Sequence, residues 1–275
     1  MFAGVLPEDK FRLVQELQRS RHVVGMTGDG VNDAPALKQA ETGIAVSTAT
    51  DVAKAAASIV LTESGLSGVV DAVETGRRIY QRMLTYTLNK IMKTFEIGIF
   101  LSVGVMASRT FIITPLLVVL LLFTNDFVTM AIATDRVSAS PQPDRWNIRT
   151  LMFTAGALAV LVLTLSFSVF FVGRDVLHLP LGELQTLVFL MLVLSGQGNI
   201  YLVRERNRFW HSRPSRWLIL SSVADVIVVS LFAAKGIWMS PVSLPLIASL
   251  FFTIALFLFL IDIAKVQVFH YFDIR

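Results

Sequence analysis

The segment TGDGVNDAPAL, residues 27 to 37, brings Asp29, Asn32 and Asp33 together with Gly28 and Gly30. Hard carboxylate oxygens delivered by a strand into a glycine-bordered loop suit Mg²⁺, which takes few protein ligands and fills its shell with water and phosphate. Gly28 and Gly30 would let the backbone pass close to a ligand. The same Asn and Asp at a helix start would also serve as a plain N-cap. Lys10, in PEDK, is a solvated helix lysine unless its surroundings give it a task. Far downstream, Asn125 and Asp126 interrupt the apolar run LLFTNDFVTM, where an ionised carboxylate costs about 3 kcal/mol to insert in a bilayer. A functional group and a structural inter-helix bond are the two readings for Asp126. A protonatable carboxyl there, raised in pKa by burial and lowered by a nearby cation, could load on one side and unload on the other.

Those residues need elements to hold them. Up to about residue 66, short apolar runs (FAGV, HVVGMTG, TGIAV, IVLT) alternate with amphipathic stretches, the pattern of an α/β unit with a parallel sheet of three or four strands. Pro7 fits the first turn of the first helix. From Gly68 one long helix is predicted, polar at first and entering the bilayer after Tyr86. It carries Lys90, Lys93, Thr94 and Glu96. The spacing of three puts Lys90, Lys93 and Glu96 on one broad face, Lys90 as a lysine snorkelling to the rim and Glu96 deeper. Five further apolar blocks follow, at 111–134, 151–173, 184–203, 217–234 and 241–261, each near the roughly 20 residues that cross a bilayer. Asp225 is a weaker candidate inside its block, and Asp262 with Lys265 reads as an interfacial end.

Over half of the 275 residues are hydrophobic (54%) and only 16% are charged, so much of the chain must meet lipid. There is no cysteine, which excludes disulfides and thiolate metal sites. The opening MFAGVLPEDKFR lacks the basic region and long apolar core of a signal peptide. Arginines concentrate in DRVSASPQPDRWNIR and RERNRFWHSRPSR, which predicts that these connections are cytoplasmic and, with six crossings, that both termini are too. Trp210, Trp217 and Trp238 lie near predicted helix ends.

TGDGVNDAPALK, preceded by PEDKFRLVQELQ and followed by DVAKAAASIVL and GRRIYQRM, resembles the P-type cation-transporting ATPases of the haloacid-dehalogenase superfamily. The resemblance implies a partial haloacid-dehalogenase-like α/β phosphorylation domain at 1–66, a stalk and first membrane helix at 67–108 (fifth by family count) and five more membrane helices at 109–275. It implies that Asp29 binds the catalytic Mg²⁺, that Asn32 and Asp33 organise the phosphorylation site with Thr27, Gly28 and Gly30 in the phosphate-side loop, and that Lys10 contacts the phosphoryl group. Around Asn125 and Asp126 the sequence looks most like the sixth membrane helix of plasma-membrane proton pumps, with an ion pathway of Asp126, Asn125, Glu96 and Thr94. Glu96 departs from that subfamily, whose plant members carry a basic counter-ion there, and two carboxyls could serve a proton or a harder cation such as Mg²⁺ or Ca²⁺. The family's DKTGT nucleophile, nucleotide-binding domain, TGE actuator loop and first four membrane helices are not in this sequence. The expectation is therefore the C-terminal part of a cation pump, most simply a proton pump in the plasma membrane, that does not hydrolyse ATP alone. Its partners would be lipid, the transported ion and the absent segments, in the same chain or another, and not nucleic acid. A stand-alone membrane protein that binds or regulates a complete pump is the other reading.

Overall fold

The computed structural model describes residues 6–63, 65, 67–143, 146–272 and 274. The chain divides into two compact units, residues 1–76 and 77–275. The FAGV strand expected at residues 2–5 lies outside the described residues.

In the first unit, α1 (Pro7–Arg19) precedes β1 (Gly25–Gly28), α2 (Ala34–Gln39), β2 (Thr42–Ala45), α3 (Asp51–Ala56) and β3 (Ile59–Val60). The strands form a parallel sheet in the order β1-β2-β3, with Gly25 opposite Thr42, Gly28 opposite Ala45 and Ile44 opposite Ile59. Parallel neighbours need a crossover, which α2 and α3 supply. The α1 helix starts at Pro7, whose fixed φ suits a first turn, and Val14 packs with Ala36 of α2 and with Ala40 just beyond it. A second small core joins Leu37, Ala45, Ala49 and Ala53. Alanines dominate both, so helix and sheet approach closely: a Cβ on Gly43 would sit 2.3 Å from the Leu37 carbonyl oxygen.

A single 42-residue helix follows, α4 (Ser67–Ser108). Then come α5 (Pro115–Ala131), α6 (Ile148–Phe171), α7 (Leu181–Arg204), α8 (Arg216–Lys235) and α9 (Leu244–Tyr271). All six are long and apolar enough to cross a membrane. In α7 every residue from Thr186 to Gln197 is buried, as expected of a helix enclosed on all sides. The other five turn apolar faces outward, among them Met106, Phe123, Phe127 and Phe252, where lipid would be their solvent.

The last helix departs from expectation. It runs to Tyr271, ten residues past the predicted block, so Asp262 and Lys265 lie within the helix and not at its end. Both are fully buried and paired at 2.7 Å. The Lys265 ammonium donates to the carbonyl oxygens of Leu202, Glu205 and Asn207, satisfying acceptors left over where α7 stops. A hydropathy reading ends the helix at the first charge because it has no knowledge of those carbonyls. The Arg-rich connections also bind one another. Arg204 donates from Nε to Asp135 Oδ2 at 2.8 Å, the Ser215 amide donates to Asp135 Oδ1, and Arg82 donates to the Asp135 carbonyl.

Candidate functional site

The β1 strand ends at Gly28 and hands Asp29 directly to the loop. Asp29 is exposed, and its carboxylate accepts no hydrogen bond among the described residues. A short 3-10 turn, Val31–Asp33, then leads into α2. Asp33 is buried and does not cap α2 with its side chain, so the plain N-cap reading is not what the chain does. Its Oδ2 instead faces back across the loop to the backbone amides of Asp29 (3.3 Å) and Gly30 (3.5 Å), and its Oδ1 accepts from Lys10 Nζ at 2.7 Å. Burial pushes the Asp33 carboxyl up, but the Lys10 ammonium and the two amides outweigh it and hold the group below the usual carboxylate range.

Gly28 is required for this arrangement, because a Cβ there would lie 2.6 Å from the Asp33 Cβ. At Gly30 the chain itself leaves room for a side chain, with nothing closer than 3.9 Å. Thr27 and Asn32 are exposed on the same loop. The loop thus presents an open carboxylate, Asp29, beside one that is already engaged by a lysine from α1. That donor set fits Mg²⁺, which needs only one or two carboxylates when phosphate and water complete its shell.

The candidates in the membrane helices do not form one cluster. Glu96 is fully buried: Oε1 accepts from Ser195 Oγ (2.8 Å) on α7 and Ser166 Oγ (3.2 Å) on α6, while Oε2 pairs with Lys93 Nζ at 3.1 Å. Lys93 also donates to the Leu192 carbonyl. Gly196 makes space for it, since a Cβ there would come within 3.0 Å of Nζ and 3.8 Å of Asn125 Oδ1. Asn125 therefore belongs to the Lys93 side.

Asp126 does not. The expected burial is absent: its side chain is 62% exposed, and it pairs with Lys90. Lys90 consequently is not merely snorkelling, and it lies 5.7 Å from the Tyr86 ring centre as well. Thr94, expected with the carboxyls, is exposed and donates to the Lys90 carbonyl within its own helix. The single broad face predicted for Lys90, Lys93 and Glu96 thus splits, because three residues on a helix are 60° short of a full turn and α7 covers only the later two. Asp225 is buried with Gln197 Nε2 at 2.6 Å as its hydrogen-bond donor.

A family model described as haloacid dehalogenase-like hydrolase matches residues 11–73, the stretch that holds all three strands and the Asp29 loop. A Methanocaldococcus jannaschii protein named "Putative cation-transporting ATPase" is 43% identical over 242 residues, covering 88% of this chain and 30% of its own. A protein of Kluyveromyces lactis named plasma membrane ATPase is 36% identical over 241 residues, covering 86% of this chain and 27% of its own. The chain is homologous to cation-transporting ATPases. It carries a haloacid dehalogenase-like unit followed by six candidate membrane helices, and it spans less than a third of the length of the curated relatives it matches.

Within this cation-transporting ATPase homologue, several groups at the buried site escape a reading of the sequence. Ser166 and Ser195 complete the shell of Glu96 yet stand in unremarkable apolar runs, and no local signal marks them. Asn89 and Gln81 on α4 and Asn199 on α7 are also buried. For α4 a signal exists: Gln81, Thr85, Asn89, Lys93 and Glu96 recur at spacings of four, four, four and three, a polar stripe on one helix face.

Proposed function

We propose that this chain forms the C-terminal part of an ATP-driven P-type cation pump, exporting protons across the plasma membrane, with both termini cytoplasmic. The observation that carries the ion assignment is that each carboxylate on the helical path is matched by its own lysine, Glu96 by Lys93 and Asp126 by Lys90. A divalent cation asks for six or more oxygens with several carboxylates free, whereas a carboxyl beside a built-in ammonium needs only to exchange a proton.

In the soluble unit, Asp29 would hold Mg²⁺, which with ATP bound neutralises charge spread over the phosphoryl oxygens. Lys10 adds a second positive charge toward the same group, and Asp33 aims Lys10 while tying back the Asp29–Gly30 backbone. Thr27, Gly28, Gly30 and Asn32 complete the loop. The phosphoryl-accepting aspartate and the nucleotide-binding and actuator segments come from the rest of the pump. In the helices, Asp126 carries the proton on its carboxyl, Lys90 pairs with it, and Asn125 and Glu96 line the buried side of the path. Thr94 acts only by holding the local helix backbone.

The test is ATP-driven acidification of proteoliposomes holding the complete pump. Asp29→Asn and Lys10→Ala should abolish both phosphoenzyme and transport, and Asp126→Asn should abolish proton movement while phosphoenzyme still forms. Uptake of Ca²⁺ or another metal cation with no pH gradient would overturn the proton assignment. Phosphoenzyme formation unaffected by Asp29→Asn would overturn the role of the loop.

A further inference from the structure

Asn89 and Asn199 are both fully buried, and neither the amide nitrogen nor the amide oxygen of either side chain has a hydrogen-bond partner among the described residues. Four polar atoms stranded in a low-dielectric interior would each cost about 1–3 kcal/mol, so proteins rarely leave them dry. Their positions explain how they can be satisfied. At one end α4 meets the chain just beyond α7, where Arg206 donates to Gln81 Oε1 at 3.1 Å. At the other it meets α7 itself, through Lys93 to the Leu192 carbonyl and Ser195 to Glu96.

The two helices therefore run antiparallel along one seam. Asn89 lies eight helical residues from Gln81, and Asn199 five helical residues from the end of α7 at Arg204 with an extended step on to Arg206; at about 1.5 Å per helical and 3.3 Å per extended residue this puts the two amides within roughly one helical turn of each other. Each is on the seam side of its helix, Asn89 four residues before Lys93 and Asn199 four residues after Ser195. Two opposed amides that do not bond each other offer two donors and two acceptors to the same gap. A buried water takes two to four such partners.

We propose that the α4–α7 seam is a hydrated passage, with water held between Asn89 and Asn199, that connects the Lys93–Glu96 site to the Arg-rich end of the helices through Thr85 and Gln81. The stripe from Gln81 to Glu96 spans about 22 Å at the helical rise, most of a bilayer's hydrocarbon depth. Water along it supplies the buried carboxylate with proton exchange that no side chain of the surrounding apolar cluster, Leu84, Leu88, Met92, Leu202 and Val203, can provide. Its role in transport rests on the pump reading above, whereas the water site does not.

Radiolytic hydroxyl-radical footprinting of the whole chain in lipid nanodiscs tests the site, because radicals generated from bound water oxidise the side chains that touch it. Met92, on the seam cluster, and Met191, in a purely apolar cluster, are equally buried and serve as probe and internal control. Met92 should oxidise several-fold faster than Met191, and the double variant Asn89→Leu/Asn199→Leu should bring it down to the Met191 rate. Asn89→Ser, which keeps a polar group in a helix of unchanged packing volume or less, should retain the fast oxidation and guards against reading misfolding as dryness. Met92 oxidising no faster than Met191, or oxidising equally in the double variant, would overturn the proposal. A failed proton assay on the complete pump would leave this labelling pattern unchanged and so count against the pump reading alone.

Discussion

Two lysines three residues apart on α4 each pair with a carboxylate, and the two pairs are built in opposite ways. Lys93–Glu96 is enclosed by α6 and α7, and two serine hydroxyls and a backbone carbonyl fill the remaining valences. Lys90–Asp126 joins α4 to α5 on an open face, with little else around it. The first pair is the more firmly held, because breaking it leaves a buried charge without its side-chain partner. The second lies open and is free to change partner. The difference teaches that depth in the hydropathy profile and burial in the fold are separate properties: Asp126 is central in its apolar block and yet uncovered in this chain.

The contrast can be broken most severely at the enclosed pair. Lys93→Met should strand the Glu96 carboxylate and destabilise the helical unit by about 3–5 kcal/mol, measured by unfolding in mixed micelles, while Lys93→Met/Glu96→Gln should recover most of it. Lys265→Met should cost a similar amount, since Asp262 and three carbonyls lose one ammonium. If either single variant is neutral, the enclosed pairs are not the firmly held elements described.

A smaller effect is expected at Asp33, whose lysine partner is partly open to solvent. Asp33→Asn should weaken the loop by on the order of 1 kcal/mol, seen as faster amide exchange at Asp29 and Gly30. The pH dependence has a definite sign: the folded carboxyl is held below its unfolded value, so its contribution is present above about pH 4 and is lost as pH falls through the folded value. Protection at those amides should therefore drop on acidification and not on alkalinisation. The smallest change in stability, about 1 kcal/mol or less, should follow Lys90→Ala, measured by the same unfolding assay. A large loss of stability there would erase the distinction between the two pairs.

The Asp29 loop was legible because its logic is local. A strand, a Gly-Asp-Gly turn and a second aspartate four residues on lie within a dozen positions, and a distant side-chain partner, Lys10, arrives on the adjoining helix. What the residue types did not convey was that Asp33 faces backward, since that depends on the missing Cβ of Gly28. The six apolar helices were legible from run length alone. The buried polar groups were not, because their meaning is tertiary: Ser166 and Ser195 are seventy and ninety-nine residues from Glu96. Lys265 failed for the same reason, its acceptors being some sixty residues upstream. Asp126 misled in the other direction, since insertion cost is a property of sequence depth and covering is a property of neighbours.

The lysine near the end of α9 also bears on how the molecule is made. A charged pair entering lipid on an isolated helix pays several kcal/mol, and the carbonyls that receive Lys265 exist only after α7 has ended and the chain has turned. Synthesis delivers α7 before α9, so the ammonium can reach its three acceptors only once α7 is already made. The α9 helix would thus act as a latch on the end of α7, and a chain interrupted before Lys265 would leave that end unlocked.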